Sequence, residues 1–403
     1  MQYVLTNCSI HTGEVVVPNG MIVVENGVIV SLTGDSPAAR AAGGSRGLSF
    51  AGSPRDTGAA GVGGAPDVAA DSQTIDLNGM HIAPGFIDIQ LNGGERFNFT
   101  ANPTEETIDD MVQACLRTGT THLLPCMISS PRENILRGIE VVKHYRSKHN
   151  NGVIGMHLEG PFINVEKRGA HLPAHIRKPS NSELDELIRE GKDVIKLITI
   201  APECFTDDQI DMLVSAGIRV SAGHSNMTYD EARDNFGKGI KLVTHLFNAM
   251  APFGHREPGL TGAALENDEV FTPIILDGVH CAYGAARLAY KLKKDKLILT
   301  SDALFLGRKK MEFSWGSFKV ALVDGFYRNK DGNLAGATIS MAEAVQNAHL
   351  HLGVPVAEAI KMATSRVAAA IAMDHRIGRI APGFPASFVV FDDSLEHIDT
   401  LVL

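Results

Sequence analysis

Two histidines at matching points of the chain, His224 in SAGHS and His245 in THLFNAM, have the type and spacing to hold a metal ion. Each closes an apolar run rich in β-branched residues, Ile218 to Ser221 and Ile240 to Thr244, that reads as a buried strand. Between them, Thr228-x-x-Glu231 is a capping box that starts a helix of about ten residues, so the unit is strand, helix, parallel strand. Both histidines then emerge at the same carboxyl edge of a sheet. One histidine at a strand end is more often a hydrogen-bonded structural residue. A pair on adjacent parallel strands favours a metal site, the more so with a carboxylate at the same edge.

GMHLEGPF, residues 155–162, supplies that carboxylate. Side chains two apart on a strand share a face, so His157 and Glu159 both point inward, with Glu159 nearer the mouth. Glu159, His224 and His245 offer one oxygen and two nitrogens, a set suited to one divalent metal ion, zinc first, with a position left open for water. The plainer reading of Glu159 is a carboxylate paired with a basic residue; His157 reads as structural. A further run ends in TSDA and puts Asp302 across the same mouth. There a carboxylate can take a proton from a metal-activated water and pass it to a leaving group, which suits amide hydrolysis. The plainer role for a strand-end aspartate is a helix cap.

These residues need a frame that brings strand ends together. Apolar runs end near Gln90, Met127, Glu159, Ile200, His224, His245, Asp277 and Asp302. They alternate with helical segments opened by Ser130-Pro131 with Glu133, Ser180-x-x-Glu183, Thr206-x-x-Gln209 and Thr228-x-x-Glu231. Eight units over roughly 290 residues match the period of an α/β fold, the (β/α)8 TIM barrel, whose chemistry sits at the carboxyl ends of its strands. A doubly wound open sheet is the alternative. The barrel is assigned to 81–371, closed by helical segments at 341–352 and 355–371. Both termini, 1–80 and 372–403, build a small β-sandwich domain, with Asn26-Gly27 as a hairpin turn. Within it, 36–72 is so rich in Ala, Gly, Ser and Pro that a disordered insertion is expected.

A chain of 403 residues, 44% hydrophobic, can bury a large core. A net charge of -9 argues against nucleic acid or an anionic membrane surface as partner, so any phosphate in a small-molecule substrate must meet local cations. Five scattered cysteines without a C-x-x-C indicate a reducing compartment. With no run of about 18 apolar residues and no basic leader, a cytoplasmic protein is expected.

HLEGPF, SAGHS, THLFNAM, REPG, DGVH and TSDA, in this order, resemble the amidohydrolase superfamily and, within it, the single-metal deacetylases of amino-sugar phosphates. The similarity covers nearly the whole chain apart from 36–72. Where many amidohydrolases carry His-x-His for a second metal, GFIDIQLNG has Gln90 and Asn92, and ITIAPE offers no bridging lysine. The resemblance implies hydrolysis of the acetamide of N-acetyl-D-glucosamine 6-phosphate, with one ion on Glu159, His224 and His245. It implies Asp302 as proton donor and acceptor, and His171 as the group at the acetamido carbonyl, where a donor steadies the developing oxyanion. Ala170, Asn248, Ala249, Asp277, Gly278, Val279, His280, Leu334, Ala335 and Gly336 match substrate-contacting positions. Arg256 and His280 match the partners of the phosphate, Arg256 reaching in across a homodimer interface. A surface ion pair with Glu257 is the alternative for Arg256. After Asp302 the chain reads ALFLGRKKMEFSWG, unlike the small-residue turn usual there. The rival activities are another amidohydrolase, acting on a different acylated amino sugar or a cyclic amide, and a non-catalytic scaffold.

Overall fold

The computed structural model describes residues 1–35, 47–50, 69, 71–330 and 332–403. The chain divides into two compact units, one of Met1–Ile87, Arg117–Thr121 and Val354–Leu403, the other of Asp88–Leu116 and His122–Gly353.

In the first unit, β1 (Gln2–His11), β2 (Val16–Glu25) and β3 (Val28–Asp35) form an antiparallel meander. Its second turn is the Asn26-Gly27 pair, at φ of 50° and 80°, the left-handed geometry that matches strand twist. Within the segment 36–72, expected to be disordered, Gly47–Phe50 forms β4 antiparallel to β3. Apart from these four and positions 69, 71 and 72, that segment lies outside the described residues. The sheet continues through β5 (Gln73–Asp76) and β6 (His81–Pro84). The chain's C-terminal strands, β18 (Ser387–Phe391) and β19 (Ile398–Val402), complete it in the order β19-β18-β6-β1-β2-β3-β4. Leu5, Ile10, Ile22, Ile29, Ile82 and Phe388, drawn from both ends of the chain, share one buried cluster, which makes the sheet sandwich-like.

The second unit carries the site. β7 (Phe86–Leu91), β8 (Thr120–Ile128), β9 (Met156–Glu159), β10 (Ile195–Ile200), β11 (Arg219–Ala222) and β12 (Leu242–Val243) follow one another in a single sheet. β13 (Thr272–Ile274) pairs in parallel with β14 (Leu297–Leu299). Parallel bridges Leu242 to Phe271 and Leu91 to Ala303 join the two groups at both edges, so the ring of eight closes. This is the TIM-type barrel, with strands buried along most of their length. The capping boxes at Thr206/Gln209 and Thr228/Glu231 both form, and Ser180 caps its helix through the Glu183 N–H.

Between the eighth strand and the helix Met341–Leu352 lies an element the sequence reading did not anticipate. β15 (Glu312–Trp315), β16 (Phe318–Val323) and β17 (Phe326–Asn329) form a three-stranded antiparallel flap. Asp324-Gly325, at φ of 51° and 82°, makes its second turn. Beyond it, helices Val356–Ala363 and Ser365–Ala370 belong to the first unit. β18 (Ser387–Phe391) and β19 (Ile398–Val402) end the chain.

Candidate functional site

Glu159 is the last residue of β9; His224, His245 and Asp302 each follow their strands by two or three residues. All four come to one mouth of the barrel. Gly223 makes the approach possible, since a Cβ there would stand 2.6 Å from Thr244 Cβ, immediately before both histidines. His224, His245 and Asp302 have φ of 49°, 31° and 47°, the left-handed region that costs a non-glycine residue about 1–2 kcal/mol. Strain of this kind persists where the surroundings over-determine it, and here it falls on the side chains that face one another.

His224 Nε2 and His245 Nε2 each lie 3.1 Å from the same oxygen of Glu159, and 3.2 Å from each other. His224 Nδ1 faces the carbonyl of Lys167 at 2.8 Å, and His245 Nδ1 faces that of Asn248 at 3.1 Å. A carbonyl only accepts, so each Nδ1 carries the proton and each Nε2 presents a lone pair. Three electron-rich atoms in a triangle call for positive charge between them. Ligands about 2.0–2.1 Å from a tetrahedral zinc stand about 3.3–3.4 Å apart, close to the spacing observed. The residues fit a divalent cation.

His171 has the opposite tautomer. Its Nδ1 accepts from the backbone N–H of Ser129 at 3.2 Å and lies 2.7 Å from the Ser129 hydroxyl. Its proton therefore sits on Nε2, which stands 3.9 Å from the second oxygen of Glu159. Glu159, His171 and His224 could also be grouped as ligands by distance, within 4.8 Å. The tautomer argues against that grouping, because a nitrogen carrying hydrogen is a donor and not a ligand. Burial, then the neighbouring His224, pushes the His171 pKa down to about 3, so the ring is a neutral donor.

One amide, that of Gln90, joins Asp302 to Glu159. The side-chain nitrogen of Gln90 donates to Glu159 and to Asp302, both at 3.0 Å, and Asn92 donates to the same Asp302 oxygen at 2.9 Å. Burial pushes Asp302 up to about 7, helped by the charge of Glu159. Burial works the same way on Glu159, but the adjoining His224 and His245 outweigh it and hold that carboxyl well below its usual range. Two carboxylates driven apart in this way divide the labour, one permanently charged and one able to exchange a proton near neutrality. Beneath them His157 bonds Thr199 at 2.8 Å, in a buried chain with Thr244 and Ser221, and takes the structural role expected of it.

These groups open onto a cavity of about 180 Å³. Ala170, Asn248, Ala249, His280 and Leu334–Gly336, all singled out from the sequence, line it together with His171 and Asp302. Asp277, Gly278 and Val279 do not. The Asp277 carboxylate instead accepts from the backbone N–H groups of Val279 and His280, at 2.9 and 2.7 Å, and from His280 Nδ1 at 2.6 Å. It holds His280 in place. Arg256 is exposed on the loop after Ala249 and outside the cavity lining. Among the described residues it makes no ion pair with Glu257, whose carboxylate accepts from the N–H groups of Tyr229 and Gly259. Sequence reasoning treated Gln90 and Asn92 only as missing metal ligands, and passed over Asn98, Ser129, Phe313, Trp315 and Phe318. The alternating FSWGSFKV was a strand signal that could have found the last three.

Residues 81–402 match the sequence profile of the Amidohydrolase family. The chain belongs to the amidohydrolase family. This amidohydrolase is 39% identical over 334 residues to an N-acetylglucosamine-6-phosphate deacetylase of Haemophilus influenzae, covering 82% of this chain and 87% of that protein. It is 37% identical over 326 residues to an N-acetylgalactosamine-6-phosphate deacetylase of a Shewanella species, covering 80% and 82%. Among solved structures, the N-acetylglucosamine-6-phosphate deacetylase of Pasteurella multocida superposes with a TM-score of 0.86 at 34% identity, covering 100% of this amidohydrolase and 98% of that chain. The amidohydrolase family is metal-dependent, and the Glu159 cluster is where this member could hold a metal. Among the described residues no helix is long and apolar enough to cross a membrane.

Proposed function

We propose that this amidohydrolase removes acetate from N-acetyl-D-glucosamine 6-phosphate, leaving D-glucosamine 6-phosphate. The observation that carries the reading is the triangle of Glu159, His224 and His245, linked by the Gln90 amide to a buried Asp302 that titrates near neutrality. The sugar is supported by the names of the relatives. Glu159, His224 and His245 would hold a divalent cation, zinc by the character of the donor set, which would supply a Lewis acid and lower the pKa of the attacking water.

The protein's own groups do the rest. His171 donates from Nε2 to the carbonyl oxygen and strengthens that bond as negative charge develops there. Asp302, ionised at the start, takes the proton of the attacking water and returns it to the amine nitrogen as the C–N bond breaks. Gln90 and Asn92 aim the carboxylate that receives it. The buried setting keeps bulk water from competing for the proton.

Catalysis resides in 81–371, and the small domain of 1–80 with 372–403 supports it. The enzyme works as a cytoplasmic homodimer in which Arg256 of the partner subunit joins His280 at the phosphate. The exposure of Arg256 supports the interface, and five free cysteines support the compartment. Acetate release from a panel of N-acetylated hexosamines, with and without the 6-phosphate, tests the assignment. The phosphorylated gluco compound is expected to be turned over fastest; a faster reaction on a cyclic amide or an unphosphorylated sugar would contradict it.

A further inference from the structure

The flap carries Trp315, the one tryptophan of the chain. Along β15 the side chains alternate, with Glu312 and Ser314 exposed and Phe313 and Trp315 half-buried on the opposite face. Trp315 pairs across the hairpin with Phe318, and all three aromatic residues line the cavity. Their anchoring differs. Phe313 stands edge-on to Phe305 at 5.1 Å between ring centroids, and both phenylalanines pack on the buried cluster of Phe305, Val320 and Tyr327. Trp315 stands outside that cluster, next to the His175 ring at 5.5 Å, on the turn that follows His171.

The flap core is therefore complete without the indole. A large apolar face left beside a cavity is favourable only when something apolar and flat covers it. The chemistry at the barrel mouth is provided by polar groups, and they account for the amide. A pyranose ring with equatorial substituents presents axial C–H bonds on each of its two faces, and such a face matches an indole in size and polarity.

We propose that Trp315 is the platform on which the sugar ring of the substrate stacks, so that the flap sets affinity for the hexosamine while the barrel mouth performs hydrolysis. This rests on the deacetylase reading. It assigns Trp315 to binding and gives it no part in proton transfer.

Because the chain has a single tryptophan, the emission of the unmodified metal-replete enzyme reports on this residue alone. Titration with glucosamine 6-phosphate, which has the ring but no acetyl group, is expected to change the emission saturably, with a midpoint equal to its inhibition constant for acetate release. Acetate alone is expected to leave the emission unchanged. Trp315→Ala is expected to raise KM about tenfold with kcat within about threefold, and Trp315→Phe to recover most of the loss. Emission unmoved at product concentrations that inhibit would overturn the proposal, as would a response to acetate or a wild-type KM in Trp315→Ala. An enzyme that releases no acetate from the sugar phosphate would instead remove the deacetylase reading, so the two failures are distinguishable.

Discussion

Ser129 donates its backbone N–H to Nδ1 of His171, and by doing so turns the one protonated nitrogen of that ring towards the reaction centre. A backbone donor cannot be mutated away, so the account separates two variants. His171→Asn is expected to keep its metal and lose about 10²–10³ in kcat/KM, the cost of one oxyanion donor. Ser129→Ala keeps the N–H and should lose less than about tenfold. Metal analysis of His171→Asn checks this; a variant that came out metal-free would make His171 a ligand.

His224 and His245, with proton positions reversed, should behave oppositely. Glu159→Gln or His245→Asn is expected to abolish stoichiometric metal binding. Chelation should lower the Tm of the wild type, with recovery on adding zinc, because a ligand bound only by the folded state stabilises it. The same treatment should leave the Tm of both variants where it was.

Gln90 is where two carboxylates meet one donor. In Gln90→Leu the bridge between Glu159 and Asp302 is gone, and the bare proximity of two negative charges raises the pKa of Asp302 further. We expect about a 10- to 100-fold loss of kcat. The acid limb of the kcat profile should move to higher pH, because the proton acceptor ionises later. A limb that stayed in place would mean that the amide has no hold on Asp302.

Away from the site, His122 makes stability depend on pH. Burial holds its pKa at about 4 against an ordinary 6.5. Below 6.5 the unfolded chain takes up a proton that the folded chain refuses until about 4. The stabilisation from the neutral ring is thus whole above 6.5 and is lost as pH falls from there to 4, up to about 3 kcal/mol. Wild type should lose unfolding free energy relative to His122→Gln over this window, measured by denaturant titration. Parallel curves for the two proteins would contradict it.

The strands were legible because each barrel strand is a short apolar run bounded by a turn or cap, and the residues that meet at one mouth were legible because they sit at the ends of those runs. Glu159, His224, His245 and Asp302 needed only that the ends converge. What could not be read were relations set by folding. Gln90 and Asp302 are 212 residues apart, and no local pattern announces that one amide spans two carboxylates. The proton positions of His171 and His245 depend on carbonyls and N–H groups placed by loops. The flap was missed because its strands fall where a barrel reading looks only for connecting helix. Nor does any local pattern show that the Asp277 carboxylate accepts from His280 and the turn around it.

The most direct measurement compares acetate release from N-acetylglucosamine 6-phosphate by the wild type and Asp302→Asn at equal metal content. The account predicts one equivalent of acetate per glucosamine 6-phosphate from the wild type, and about a 10²–10⁴-fold slower release from a variant that still binds metal and product. Equal rates, or a wild type that leaves the acetamide intact, would contradict it.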